Sequence, residues 1–381
     1  MEQQLSREAL NRILEAEHIE NLSISEIAEL FRANKDIAEY APDGICQIDP
    51  RTGDRVLYNS ARARRPRDNR PDNRDNPEQK DRREACLVCQ GNTTGVVDVT
   101  DLSTGFTFIN KNLYPVLYPQ QFPESGVPRI LETDASEPAG VLAYGFHFLQ
   151  WSSSFHDKDW HNMPPADRIV LLNRLAVLER QLLLGVSVPA ASTWGDKVDE
   201  YRGFVSIIKN YGRLVGGSIE HGHQQIGFSN VMPRRFQDNR RFKQEREELF
   251  SDFLLRKNPA ELLIRDYGPA VLLTPYFMRR PFDMMLLLKD TQKCYLHQLT
   301  PAETAAIADG WHDAIRFMRW VMPNIGRNMA YNVVTNNGPG AGLYFEFLPY
   351  TQETGGFEHL GLFICQDNPE DSAAQAREFL H

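Results

Sequence analysis

The chain has 381 residues, 41% apolar and 24% charged, a balance that fits a globular protein with one large or two ordinary domains. A formal charge of −9 argues against a nucleic-acid polymer as partner, but leaves room for a small anion held by local arginines. No run approaches membrane-spanning length, the N-terminus lacks the pattern of a signal peptide, and only two of the five cysteines are closely spaced, so a reducing, cytoplasmic setting is expected.

Residues 3–40 read as helical. Leu10, Ile13 and Leu14 fit one amphipathic face, and Ile24, Ile27, Leu30 and Phe31 fit another, with Ser23 or Ser25 as a cap. The expected role is an N-terminal packing or dimerisation arm. Pro50 to Gly53 reads as a turn between strands at Cys46–Ile48 and Arg55–Tyr58. Arginines follow the second strand, as a solvated basic patch or as forks for phosphate oxygens. Residues 67–84 are charged and rich in Asn and Pro, the composition of a mobile loop.

Cys86-Leu-Val-Cys89 is either a redox pair or half of a zinc site, and the Gly-Asn that closely follows favours a turn over the helix start of a redox motif. A tetrahedral site needs two more ligands, for which His147, His156, His161 and His221 are candidates. Phe106–Ile109 reads as a strand that leads into Asn110-Lys-Asn-Leu-Tyr-Pro.

Residues 210–225 read Asn-Tyr-Gly-Arg-Leu-Val-Gly-Gly-Ser-Ile-Glu-His-Gly-His-Gln-Gln, after the strand-like run Phe204 to Ile208. Glycines let backbone approach a ligand closely, and successive N–H groups in such a turn form a concavity for phosphate oxygens. His221 and His223, two apart on a strand, point the same way. One can be fixed by a partner or metal while the other attacks phosphorus as a covalent nucleophile.

The chain also repeats itself. Strand Gly145–Trp151, a loop, a helix from Met163-Pro-Pro to about Gly185, and the strand ending at Asn210 form one series. Strand Asp283–Leu288, a loop, a helix opened by the Thr300/Glu303 capping-box pattern and running to about Trp320, strand Tyr331–Thr335, a Gly-rich turn and Leu343–Leu348 form the second. In the second series Tyr344 and Glu346 occupy the His-x-His slot.

Asn-x-Gly, Gly-x-Ser and His-x-His-x-Gln over 210–225 resemble the active-site strand of the galactose-1-phosphate uridylyltransferase branch of the histidine-triad superfamily. Asp49-Pro-x-Thr-Gly with Arg62-x-x-Arg-Pro, the CxxC, and Pro275-Tyr…Pro-Phe…Leu-Leu-Leu-Lys289 extend the resemblance over roughly 45–381. It implies an α+β fold: a tandem repeat of two units, each an antiparallel sheet with helices packed on one side, behind an N-terminal helical extension. The divisions would be 1–44, 45–235 with the His-x-His, and 236–381 without catalytic histidines.

The resemblance also implies a nucleotidylyltransferase that works through a covalent nucleotidylyl-histidine, with a nucleotide-sugar or dinucleoside-polyphosphate phosphorylase or hydrolase as the alternative. Its substrates would be a nucleotide sugar and a sugar phosphate, or phosphate. It puts the nucleophile on His223, supported by Gln225, Ser218 and the Gly216–Gly217 amides, beside Asn210. It puts phosphate contacts on Arg62 and Arg65, nucleoside contacts on Asn112 and Tyr114, and one structural zinc on Cys86, Cys89, His156 and His221. It implies a homodimer in which Phe357 and Glu358 lie near the partner's nucleophile. The family's second metal site, one glutamate and three histidines, has no counterpart in the second series, so no second metal is expected. Gly222 and Gln224 stand where the family usually has Pro and Gly.

Overall fold

The computed structural model describes residues 4–64, 86–123, 140–185 and 202–381. Arg65 and the charged stretch 67–84 lie outside the described residues.

Ten strands form one continuous antiparallel sheet. In chain order they are β3 (Val96–Asp101), β4 (Phe106–Lys111), β6 (Gly145–Trp151), β7 (Phe204–Tyr211), β8 (His223–Ser229), β9 (Leu263–Asp266), β10 (Ala270–Leu273), β11 (Met284–Leu288), β12 (Tyr331–Asn336) and β13 (Tyr344–Pro349). The spatial order is β3-β4-β6-β8-β7-β12-β13-β11-β10-β9. Read from either edge, the first three strands come in sequence and the last two are swapped, so the expected repeat is present in the topology. The two fives meet where β7 pairs with β12, Tyr211 opposite Tyr331. Even a register irregularity recurs, between Val96 and Asp98 in one half and between Leu272 and Leu273 in the other. A separate three-stranded sheet pairs β1 (Ile45–Ile48) with β2 (Arg55–Leu57) and β5 (Val141–Leu142).

The crossover helices form where the sequence signals them. α4 (Pro165–Leu184) starts with Pro in its first turn, and α7 (Pro301–Asn324) starts on the complete Thr300/Glu303 capping box. These two, with α2 (Ile24–Ala33) and α9 (Pro369–Leu380), cover one face of the sheet over a single apolar core. Trp160 and Trp311 meet at its centre, ring centroids 4.7 Å apart. Each helix also bonds to the opposite half. On α4, Glu179 accepts from Nδ1 of His297 at 2.7 Å and from Asn337 at 2.6 Å; on α7, His312 donates to the carbonyl of Trp160 at 2.9 Å. The halves are therefore interlocked.

The N-terminal arm departs from the expected helices. α1 (Arg7–Asn11), α2 and α3 (Lys35–Glu39) are separate, and residues 13–17 run along the outer edge of β3. Val96 N–H donates to Ile13 O, Glu15 and Ala16 donate to Val96 O, and Val99 donates to Glu17 O. An edge strand needs such partners for its free N–H and C=O groups, and that need overrides helix propensity here. The opposite edge is met by α9, whose Arg377 donates to the carbonyls of Glu261 and Leu263. Four strands, β3, β5, β9 and β10, were not legible as strands. All four residues of β10 are buried, a pattern that gives no alternation to read.

Candidate active site and metal centre

Ile226 and Phe228 of β8 enter the helix-covered core, so His223, Gln225 and Gly227 face the other side of the sheet. Trp151 and His147 of β6 share that side, with Trp151 directly opposite His223. Strand β8 begins at His223. His221 is therefore not on the strand, as the sequence reading had it, but in the turn before it. The two imidazoles flank Trp151, at 5.4 Å for His221 and 4.9 Å for His223 between ring centroids.

His221 is fully buried and turns Nδ1 toward the two cysteines, 3.7 Å from Cys86 Sγ and 3.5 Å from Cys89 Sγ. His156 Nδ1 lies 3.7 Å from Cys89 Sγ. The four ligand atoms all fall within 4.8 Å of one another, a group that could hold a metal ion. His147 and His161, the other sequence candidates, are not in it. Nε2 of His221 donates to Ser153 O at 2.7 Å, which fixes the ring with Nδ1 as the ligand atom. The Cys86 thiol is held far below its usual range, first by its hydrogen bond with Cys89, whose own thiol is raised.

His223 is built differently. Its Nδ1 lies 2.8 Å from the carbonyl of His221, to which only an N–H can bond, so Nε2 carries the lone pair. Burial lowers the imidazole to about 4, which keeps it neutral at neutral pH. Beneath the strand, on the helix-covered side, fully buried Lys209 donates to His223 O at 3.2 Å and pairs with Asp159 at 2.8 Å. Asp159 in turn accepts from Ser152 at 2.8 Å. This pair explains the unusual Gly222: a Cβ there would come within 2.6 Å of Asp159 Cγ.

The Gly-rich turn is tight. Gly212 sits at φ +88°, where a Cβ would lie 2.3 Å from Met329 O. The N–H groups of Gly216 and Gly217 bond to Arg213 O and Gly212 O within the turn. Ser218 follows, half-buried. Asn210 accepts from Asn332 Nδ2 across the join between the halves, at 2.7 Å.

The remaining described residues form a connected row. Arg62 donates to Tyr114 O at 2.6 Å, and Tyr114 N–H donates to Asn112 Oδ1 at 2.9 Å. Asn112 Nδ2 lies 3.3 Å from the His147 ring, and His147 Nε2 lies 3.2 Å from Gln225 Oε1. Arg62, Asn112, Tyr114 and Gln225 thus converge through His147, which sequence reasoning weighed only as a metal ligand. Phe357 and Glu358 lie apart on the short helix α8 (Gly356–His359), and Glu358 accepts from Gly355 and Ile364 within its own segment.

No family model matches the chain. In sequence it is 22% identical over 354 residues to an ADP-glucose phosphorylase of Arabidopsis thaliana, covering 87% of this chain and 91% of that one. In structure it is similar to a uridylyltransferase, with TM-score 0.62 and 20% identity over 88% of this chain and 98% of the other. An Arabidopsis thaliana ADP-glucose phosphorylase solved with ADP-glucose follows at TM-score 0.58 and 19% identity, over 87% and 98%. Over that length the chain has the fold of the uridylyltransferase and ADP-glucose phosphorylase structures it matches.

Proposed function

We propose that the protein is a nucleotidylyltransferase acting on nucleotide sugars. His223 Nε2 attacks the α-phosphorus, sugar 1-phosphate leaves, and the nucleotidyl group passes from His223 to a second sugar phosphate or to phosphate. The observation that carries this reading is the pinned, neutral His223, with its Nδ1–H held on the His221 carbonyl and Gln225 two residues along the same strand face. Gln225 and Ser218 would stabilise charge that develops on the phosphoryl oxygens. Arg62 and Arg65 would hold phosphate, Asn112 and Tyr114 would line the nucleoside side, and Asn210 would contact substrate beside the nucleophile.

Zinc is the metal that suits two thiolates and two imidazoles. We assign it a structural part on Cys86, Cys89, His156 and His221. It would fix the His221 loop, and through the His221 carbonyl the tautomer of His223. The catalytic unit would then be 45–235 and the non-catalytic one 236–381, behind the arm 1–44. The phosphorylase reading, with phosphate as acceptor, is favoured by the match to ADP-glucose phosphorylase along 87% of the chain. Incubation with UDP-glucose, ADP-glucose or a dinucleoside polyphosphate, followed by mass spectrometry of the intact protein, tests both. An adduct of one nucleoside monophosphate names the base, and the acceptor that discharges it separates transferase from phosphorylase. No adduct with any of the three would refute the covalent mechanism.

A homodimer is part of the same reading. Phe357, Leu360, Leu362, Phe363 and Ile364 are all exposed within eight residues, more apolar surface than a lone short segment leaves to water. Leu360→Asp should yield monomers by light scattering, whereas a monomeric wild type at micromolar concentration would rule the dimer out. No helix among the described residues is long and apolar enough to cross a membrane, and only Cys86 and Cys89 of the five cysteines are closely spaced; we propose a reducing, cytoplasmic setting.

A further inference from the structure

Gln225 is useful as a phosphoryl donor only if its NH2 group, and not its carbonyl, faces the substrate. A free side-chain amide has no preference between the two orientations. The structure contains a device that removes the ambiguity, and it starts from a group whose direction is certain. The backbone N–H of Val116 lies 3.1 Å from His147 Nδ1. A backbone amide can only donate, so Nδ1 is the acceptor and the proton of the neutral ring sits on Nε2. Nε2–H then points at Gln225, 3.2 Å away, and only the oxygen of that amide can receive it. The Gln225 NH2 is left directed away from His147.

His147 has no freedom to turn. The residue is 2% exposed, Asn112 N–H donates to its backbone carbonyl at 2.8 Å, and the Asn112 side-chain amide packs 3.3–3.4 Å from both ring nitrogens. Asn112 is oriented in turn, because Oδ1 is taken by Tyr114 N–H. Two backbone N–H groups therefore dictate the polarity of the whole row.

The second half shows what the same positions do without this arrangement. Laying the pair Trp151–His223 on Leu287–Tyr344 places Gln225 on Glu346, His147 on Asp283, and Asn210 on Asn336. Where the first half has a donor against an acceptor, the second has two carboxyls, and Asp283 is pushed up to about 7 by burial, with the charge of Glu346 adding to the shift.

We propose that His147 is a positioning residue for nucleotidyl transfer: held as its Nε2–H tautomer by Val116, it locks the Gln225 amide with its NH2 toward the reacting phosphoryl group. This rests on the reading of Gln225 as a phosphoryl donor. The test is a double-mutant cycle, read as the single-turnover rate at which the full-length protein takes label from UDP-glucose or ADP-glucose labelled at the α-phosphate. Gln225→Ala should slow labelling by about 10²–10³. His147→Leu should slow it by about 10–100-fold, in rate more than in half-saturation. The double variant should match Gln225→Ala alone, because His147 has then nothing to orient. His147→Gln, which keeps a donor near the Nε2 position, should recover to within a few-fold of wild type, and thermal melting of each variant identifies loss of fold. If His147→Leu slows the Gln225→Ala background as much as it slows wild type, or if His147→Gln is as slow as His147→Leu with an intact melt, the positioning role is overturned and the reading of Gln225 survives. If Gln225→Ala labels at the wild-type rate, the donor reading falls and His147's part falls with it.

Discussion

The two halves of the sheet share a strand order, a crossover helix and even the place of a register irregularity, yet among the described residues only the first carries the His223, Gln225 and His147 set on which the proposed function rests. On the helix-covered face they are alike, with Phe146, Phe148, Ile226 and Phe228 in one and Leu286, Leu288, Phe345 and Phe347 in the other, all in one core. On the opposite face they diverge. The first half sets His223, Gln225 and His147 where the second sets Tyr344, Glu346 and Asp283. Under the strand, fully buried Lys209 holds the His223 carbonyl, and its counterpart is Thr335. Packing therefore maintains the fold in both halves, and in the proposed function a few polar positions on one face decide which half does chemistry. The second half carries a polar cluster of different geometry: Tyr344 donates to Asn239 Oδ1 at 3.4 Å, and Glu346 accepts from Asn336 at 3.0 Å.

The sharpest way to break this comparison is to change matched positions. His223→Asn should abolish labelling of the protein by α-labelled nucleotide sugar, while Tyr344→Phe, at the matching position, should label like wild type. Label persisting on His223→Asn would mean that the nucleophile lies elsewhere, and loss on Tyr344→Phe would mean that the second half takes part.

The next effect concerns the metal. Cys86→Ser should lose bound zinc by elemental analysis and destabilise the fold by several kcal/mol, since binding free energy at such a site is folding free energy. The rate should fall too, because His221 no longer fixes its carbonyl under His223. Zinc retained by the variant, or none in the wild type, would remove the metal centre from the account.

Gln225→Ala against Glu346→Gln is the third pair. The first should cost about 10²–10³ in transfer rate yet still form the covalent intermediate, and the second should change the rate by less than about tenfold. Equal losses in both would end the asymmetry on which the comparison stands.

The smallest effect is on stability. Asp283 is 6% exposed, and burial raises it to about 7, against about 4 in an unfolded chain. A raised carboxyl leaves the fold undisturbed while protonated. The wild type therefore loses stability as the pH rises from about 4 through 7, and the whole penalty is present above that. Asp283→Asn, whose side-chain oxygen can still accept from Arg280 N–H, should be more stable than wild type at pH 8, by on the order of 1–4 kcal/mol, with no gain at pH 4. Denaturant midpoints at the two pH values measure it, and a gain that does not change with pH would show that Asp283 is not the titrating group.

Much of this was legible in the residues themselves. The capping box at Thr300, the proline at the start of α4 and the Gly-rich turn are local patterns whose physics acts over a few residues, and each formed where it was read; of the His-x-His only His223 is on the strand. The CxxC announced half of a metal site for the same reason. Residue spacing alone left four histidines open, and only the resemblance named His156 and His221; Cys86 and His221 are separated by 135 residues and are brought together by the tertiary fold. His147 illustrates the limit best. Four histidines were open as ligands, and the one that fell outside both the metal group and the helix-covered face is the one that faces Gln225, a choice made by the register of β6 against β8. The same register put Lys209 beneath the reactive strand with Asp159 as its partner. Local chemistry sets which side chains are capable of a reaction. Strand register and burial, which sum over contacts between distant residues, decide which of them meet, in what tautomer and on which side of the sheet.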